Sequence, residues 1–258
     1  MLWVRRALLV LAISTSALSS VAADVAMWSQ PPVVMGQQNG FPVYDGHEST
    51  SCDNQSRAPI VAAMWQSTGA QSITGFRFWG TFCGYENSQI ASWLWPNAFH
   101  FRLYSTKCAT WGFYPDSTPI WDYTASDYAL TFTGYERDKH YDGYADAVFL
   151  GSVSIADPTM RFETSPGTYY WLSVSMVDEP AVNYPWGWLT QPYTGASCAF
   201  SSASHNGTDW QQLSYMNNDW TTSFEIVGTP EPASIVTMLS GFAGLAGLAL
   251  RRLRKGRN

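Results

Sequence analysis

Residues 73–82, ITGFRFWGTF, set Phe76, Phe78 and Phe82 on one side of the chain and Arg77 and Trp79 on the other. Side chains that change character at every second residue belong to a strand with one face buried. Residues 99–105, FHFRLYS, repeat the pattern, with Phe99, Phe101 and Leu103 opposed to His100, Arg102 and Tyr104. Tyr169–Val177, YYWLSVSMV, is the third clear run and follows a Pro166-Gly167 turn signal. The same reading predicts strands at residues 119–123, 128–134, 147–155, 184–190, 198–203, 213–216 and 222–227. Residues 30–59 are rich in Pro, Gly, Asn and Ser and read as loops around one strand near 41–44. Away from the two termini, no stretch keeps a helical period for three turns. The expected class is all-β.

Composition agrees with that class. Aromatic residues make up 16% of the chain and charged ones only 13%, and aromatic and β-branched side chains suit pleated, half-buried surfaces. Residues 24–229 are enough for one domain with its own core. Many short strands at fairly even spacing favour a two-sheet sandwich or jelly roll.

The termini carry a different signal. Met1 to Arg6 is a short positive region, residues 7–13 are apolar, and residues 19–23 are small. That is the layout of a secretory signal peptide, here an N-terminal signal helix over 1–23 cleaved after Ala23, with Val21 and Ala23 as the small residues read at the cut. Residues 235–250 hold no charge, and their only polar side chains are Thr237 and Ser240. As a helix they reach about 24 Å, short of a hydrocarbon core about 30 Å thick, so the predicted transmembrane helix is a marginal span. Behind it Arg251, Arg252, Arg254, Lys255 and Arg257 stand without an acid, a flank that stays in the cytoplasm. The body then faces outward.

Thr229-Pro230-Glu231-Pro232-Ala233-Ser234, an apolar segment bearing Gly241, Gly244 and Gly247, and an arginine-rich end follow one another in that order. This arrangement over residues 230–258 resembles the PEP-CTERM sorting signal, with Pro230, Glu231 and Pro232 matching its motif. The resemblance implies recognition by an exosortase-type protease, a transient stay in the inner membrane, and release or transfer to the cell surface or extracellular matrix. It also implies a host that makes extracellular polysaccharide. Two prolines keep the segment before the membrane extended and accessible, which suits a protease cleft. The pieces GFRFWGTF, FHFRLYS and GTYYWLSVSM, with GWLT and DWQQLSY after them, resemble uncharacterised β-sandwich domains of secreted bacterial proteins. That likeness implies a fold and a secreted setting, with no activity attached.

Export bears on the cysteines. Cys52, Cys83, Cys108 and Cys198 are an even set in an oxidising compartment, which predicts two disulfides among three possible pairings. None forms a Cys-x-x-Cys, so a zinc cluster is not expected. Charge narrows the partners. Of 14 basic residues, two lie in the first 23 residues and five in the last eight, while all 20 acids lie between Asp24 and Glu231. A body that acidic repels phosphate backbones, so nucleic acid is excluded as a partner. Anionic polysaccharides are disfavoured for the same reason. Neutral sugars, cations and protein surfaces remain.

Catalytic signals are sparse. There is no Gly-x-Ser-x-Gly, His-Glu-x-x-His, phosphate-binding loop or dinucleotide fingerprint. His47, His100, His140 and His205 are scattered. A glycoside hydrolase needs two carboxyls across a cleft, for which Glu86, Asp178 and Glu179 come into question. No catalytic residue is assigned, and neither enzyme activity nor a cofactor is expected. Among the acids of residues 122–147, Asp138, Asp142 and Asp146 come nearest to a calcium set, but the alternating Asp-x-Asp-x-Asp core is missing. A solubilising acidic surface is the favoured reading there.

Tryptophan supplies the remaining candidates. Aromatic faces stack on the C–H faces of sugar rings. Trp186 and Trp188, two apart, share a face if their segment is a strand. Trp93 and Trp95 lie in a Pro-bearing loop with Asn97 nearby. The competing account is that these rings fill the core. The expected role is a non-catalytic surface or matrix protein, structural or adhesive, contacting neutral extracellular polysaccharide. A secreted glycan-active hydrolase is the alternative, and a scaffold that binds only proteins is the third.

Overall fold

A computed structural model of the chain describes residues 24–38, 40–46, 48–50, 60–110, 112–139, 143–177, 184–192, 198–202, 209–215 and 218–229. The expected signal helix, the sorting motif Pro230 to Pro232, the apolar segment 235–250, the basic tail, Cys52 and Asp142 lie outside these residues. Among the described residues no helix is long and apolar enough to cross a membrane.

The body is all-β. In chain order the strands are β1 (Val25–Gln30), β2 (Val33–Gln38), β3 (Phe41–Asp45), β4 (Glu48–Thr50), β5 (Ile60–Gln66), β6 (Ser72–Phe82), β7 (Ala98–Ala109), β8 (Gly112–Ala125) and β9 (Ala129–Arg137). They continue as β10 (Ala147–Ser154), β11 (Tyr169–Val177), β12 (Trp186–Pro192), β13 (Ala199–Ser202), β14 (Trp210–Gln212), β15 (Ser214–Tyr215), β16 (Asn218–Thr222) and β17 (Phe224–Thr229). One sheet runs β15-β16-β12-β6-β10-β9-β3-β2, with β4 beside β12 and the β1–β17 pair beside β6. The smaller sheet runs β14-β13-β5-β11-β7-β8. Described pairs are antiparallel except β3 with β9.

Both sheets turn aromatic and aliphatic faces to one core. Phe76, Phe78, Phe82, Phe149, Phe224 and Ile226 come from the large sheet, and Phe99, Phe101, Leu103, Leu172, Val174 and Met176 from the small one. Phe76 stacks on Phe101 at 4.7 Å across the gap, and Phe78 meets Phe99 edge-on at 4.8 Å. Glycine lets the rings in: a Cβ at Gly151 would run into the Phe78 ring, and one at Gly80 into Trp186.

Two strands depart from the sequence expectation for one physical reason. The stretch IVAAMW shows no alternation, yet it is the centre of β5. Val61, Ala63 and Trp65 face the main core, while Ala62 and Met64 face a second apolar cluster with Tyr104, Trp171 and Phe200. A strand buried on both faces has no period to read. Trp79, expected on a polar face beside Arg77, is only 8% exposed in a third cluster with Tyr44, Val148 and Leu189 on the large sheet. Residues 30–59, read as mostly loop, supply β2, β3 and β4 to the large sheet.

Candidate functional site

Residues 83–97 carry the chain from the end of β6 in the large sheet to the start of β7 in the small one. Tyr85 organises this loop. Its ring meets Phe82 and Tyr184 edge-on, its hydroxyl donates to the Gln89 carbonyl at 2.6 Å, and it accepts from the Ala91 N–H at 3.2 Å. Ser92–Leu94 then form a single 3-10 turn, closed by Leu94 N–H to the Ala91 carbonyl at 2.8 Å. Leu94 is fully buried in the main core. Its two neighbours must therefore leave the core, and Trp93 is 53% and Trp95 40% exposed.

Each of these tryptophans has an aromatic backstop. Trp93 lies 5.9 Å from the Tyr184 ring, and Trp95 lies 6.0 Å from Tyr128. Tyr128 in turn packs edge-on against Phe99 and donates its hydroxyl to the Pro96 carbonyl. Burial pushes its phenol up to about 12, so it stays a neutral donor at physiological pH. The result is a rim of exposed indoles on a pinned loop. Asn97, expected near the tryptophans, is exposed beside them in the chain.

Trp186 and Trp188 do share a face of β12, but it is the core face, and both are fully buried. Trp186 touches Phe78, Phe82 and Phe99, and Trp188 meets Phe224 and donates its indole N–H to the Ser223 carbonyl at 2.9 Å. They are core residues and cannot stack on a sugar. This corrects their place among the ligand candidates.

The acidic segment also resolves into structure. Asp146 is fully buried and pairs with the equally buried Arg137 at 2.8 Å, and the Arg137 N–H reaches the Asp146 carbonyl at 2.9 Å. The Asp146 carboxylate is thus engaged by a guanidinium. Asp138 is buried rather than a solvated surface acid, and Asp142 lies outside the described residues. Among the described residues no three His, Cys, Asp or Glu side chains come together as a metal set.

Cys83, Cys108 and Cys198 are not bonded to one another. Cys198 lies level with Met64, whose N–H it receives at 2.9 Å, and Cys108 lies beyond β11 on β7. Three strand spacings of about 4.8 Å separate β13 from β7, too far for a disulfide. Of the three possible pairings, the one that joins Cys108 to Cys198 is ruled out, and the expected pair of disulfides is not formed among the described cysteines. Burial pushes the Cys198 thiol up to about 11.

Two of the cavities on the described surface bear on these residues. One, of about 390 Å³, is polar and lined by Asp24, Arg77, Asp127 and Ser152 among others. The other, of about 520 Å³, lies under the 83–97 loop beside Tyr184 and brings Glu86 and Glu136 to one space. Sequence reasoning weighed Glu86 as a hydrolase carboxyl and counted Glu136 only among the acids of residues 122–147, since its neighbours Tyr135 and Arg137 gave no sign that β9 ends at a cavity. No curated protein matches the chain. A family model described as a domain of unknown function (DUF7901) matches residues 26–227, nearly the whole two-sheet body. The chain belongs to the DUF7901 family.

Proposed function

We propose that this chain is an exported surface or matrix protein, sorted by its Pro230-Glu231-Pro232 signal, whose β-body makes non-catalytic contact with extracellular polysaccharide. In this reading residues 1–23 are removed on export, residues 235–250 hold the chain in the inner membrane until an exosortase-type protease acts, and the body is a jelly-roll-like sandwich. The observation that supports the binding role is the exposure of Trp93 and Trp95 on either side of a buried Leu94. Solvent-facing indoles backed by Tyr184 and Tyr128 offer flat apolar faces with a small ordering cost at binding. The acidic body disfavours anionic polymers.

The test is binding of neutral and amine-bearing polysaccharides by the full chain, compared with Trp93→Ala and Trp95→Ala. Truncating a stacking tryptophan should weaken retention about tenfold or more, with folding unaffected. Equal retention by wild type and both variants would remove the rim from the reading. One observation favours a second reading, a glycan-active hydrolase: Glu86 and Glu136 share a cavity. Both carboxylates already accept from amide donors, Glu86 from the Ala145 N–H at 3.1 Å and Glu136 from Gln38 Nε2 at 3.5 Å. Appearance of new reducing ends during incubation, abolished by Glu136→Gln, would favour the hydrolase.

A further inference from the structure

The polar cavity of about 390 Å³ lies on the outer face of the large sheet, and its volume is within the range of about 300–1,000 Å³ typical of small-ligand sites. Phe76 of β6 and Val153 of β10 point into the core, so by alternation Gly75, Arg77, Ser152 and Ser154 point away from it. Register sets them side by side. Ser152 opposes Arg77 on β6 and Ala129 on β9, while Ser154 opposes Gly75. Glycine, alanine and serine together make a low floor, which opens the sheet surface into a trough. Thr74 is an extra residue in β6 opposite the Val227–Gly228 step, and such bulges re-aim a side chain. Its hydroxyl donates to the Asp24 carboxylate at 2.9 Å and holds that acid beside the floor. Asp127, between β8 and β9, lines the same space.

These groups have hydrogen bonds left to give. Among the described residues nothing bonds to the Asp127 carboxylate or to the Ser152 and Ser154 hydroxyls. Arg77 gives one bond to Glu225 at 3.1 Å, and a guanidinium fork has further donors. The lining therefore offers both signs and both hydrogen-bonding senses. A carboxylate or phosphate ligand suits Arg77 but meets Asp24 and Asp127. An ammonium group accepts no hydrogen bond, so it leaves the Arg77 donors idle beside a like charge. A sugar hydroxyl uses both, since its O–H donates to a carboxylate while its oxygen accepts from a guanidinium or a serine. Tyr128 lines this trough and also backs Trp95 at 6.0 Å, so the trough adjoins the exposed rim.

We propose that the trough formed by Arg77, Asp127, Ser152 and Ser154 is a second glycan subsite, which hydrogen-bonds the hydroxyls of an uncharged hexose while a neighbouring part of the same chain stacks on Trp95. This rests on the glycan-contact reading and narrows it to neutral, hydroxyl-rich polymers.

The experiment measures binding of the full chain, in mild detergent, to oligomers of equal length made of glucose, mannose, glucosamine or mannuronic acid. A neutral oligomer should bind most tightly. Asp127→Ala should weaken that binding about tenfold, and Ser152→Val, which suits a strand, about threefold. Asp127→Asn keeps an acceptor oxygen and should lose less than Asp127→Ala. Glu163→Gln removes a charge outside the trough and should change nothing. Melting curves accompany each variant. Asp127 is exposed, so Asp127→Ala should fold, and it decides if Ser152→Val does not. Binding that is lost in Trp95→Ala but survives Asp127→Ala overturns the trough and leaves the rim reading intact. Tighter binding of the glucosamine or mannuronic acid oligomer would make the trough an ion site and overturn the proposal. So would an equal loss in Asp127→Asn and Asp127→Ala, or a comparable loss in the Glu163→Gln control. Failure of every oligomer to bind would remove the glycan reading itself, and this subsite with it.

Discussion

Trp93-Leu94-Trp95 and Trp186-Gly187-Trp188 are the same spacing with opposite fates. In β12 an extended backbone sends both tryptophans to one side, and that side is the core. Where the 3-10 turn Ser92–Leu94 ends, Leu94 goes inward and the tryptophans on either side of it are turned out. Stability should follow the same division. Trp186→Ala removes a ring packed against three phenylalanines and should cost about 3–5 kcal/mol, a fall in Tm of roughly 10 °C for a domain of this size. Trp93 is half exposed and rests on the Tyr184 ring, so Trp93→Ala should stay within about 0.5 kcal/mol of wild type. Thermal melts of the two variants side by side make the comparison. The sequence separated these pairs only weakly, by the proline that puts Trp93 and Trp95 in a loop, because W-x-W reports spacing and says nothing about which layer lies over it.

At the level of elements, the register of β9 on β10 carries the most concentrated chemistry. Where β9 ends and β10 begins, Arg137 and Asp146 form a fully buried ion pair. Removing one member strands the other charge in a low-dielectric interior, which costs about 3–5 kcal/mol. Asp146→Asn should therefore lower the denaturation midpoint sharply, whereas replacing both with apolar residues of similar volume should recover much of the loss. Urea unfolding of the single and double variants checks this. A calcium role for Asp146 would predict metal-dependent stability in the wild type instead. Sequence spacing caught the acids and missed the arginine, since pairing across a turn depends on register. Among the other elements, β8 is the last strand of the small sheet and carries Pro115 and Pro119. Each proline removes a backbone donor from an edge that would otherwise template another strand. β5 is the opposite case, invisible to periodicity because it is covered on both faces.

For the whole molecule, the two ends and the body answer to different physics. The body is built by burial between two sheets. The proposed address is written in short linear segments that need no fold: a positive start, a marginal apolar span and a cationic end. Export and sorting predict that protein recovered from its native host lacks residues 1–23 and also residues 251–258, which intact mass measurement reads directly. Retention of Arg251 to Asn258 on the mature protein would end the sorting proposal. The acidic body and the basic tail then part company, leaving a surface that favours cationic or neutral polymers over phosphate-bearing ones.

The all-β class and most strand positions could be read from the chain, because period-two patterning is a local property that each segment displays by itself. Tertiary structure alone decided which tryptophans face solvent, that Asp146 belongs to Arg137, that Cys108 and Cys198 stand too far apart to join, and that Glu86 and Glu136 meet in one aromatic-walled cavity. All four depend on which sheet covers which face and on the register between strands distant in sequence. Those are set by packing across the core, and no single stretch of residues records them.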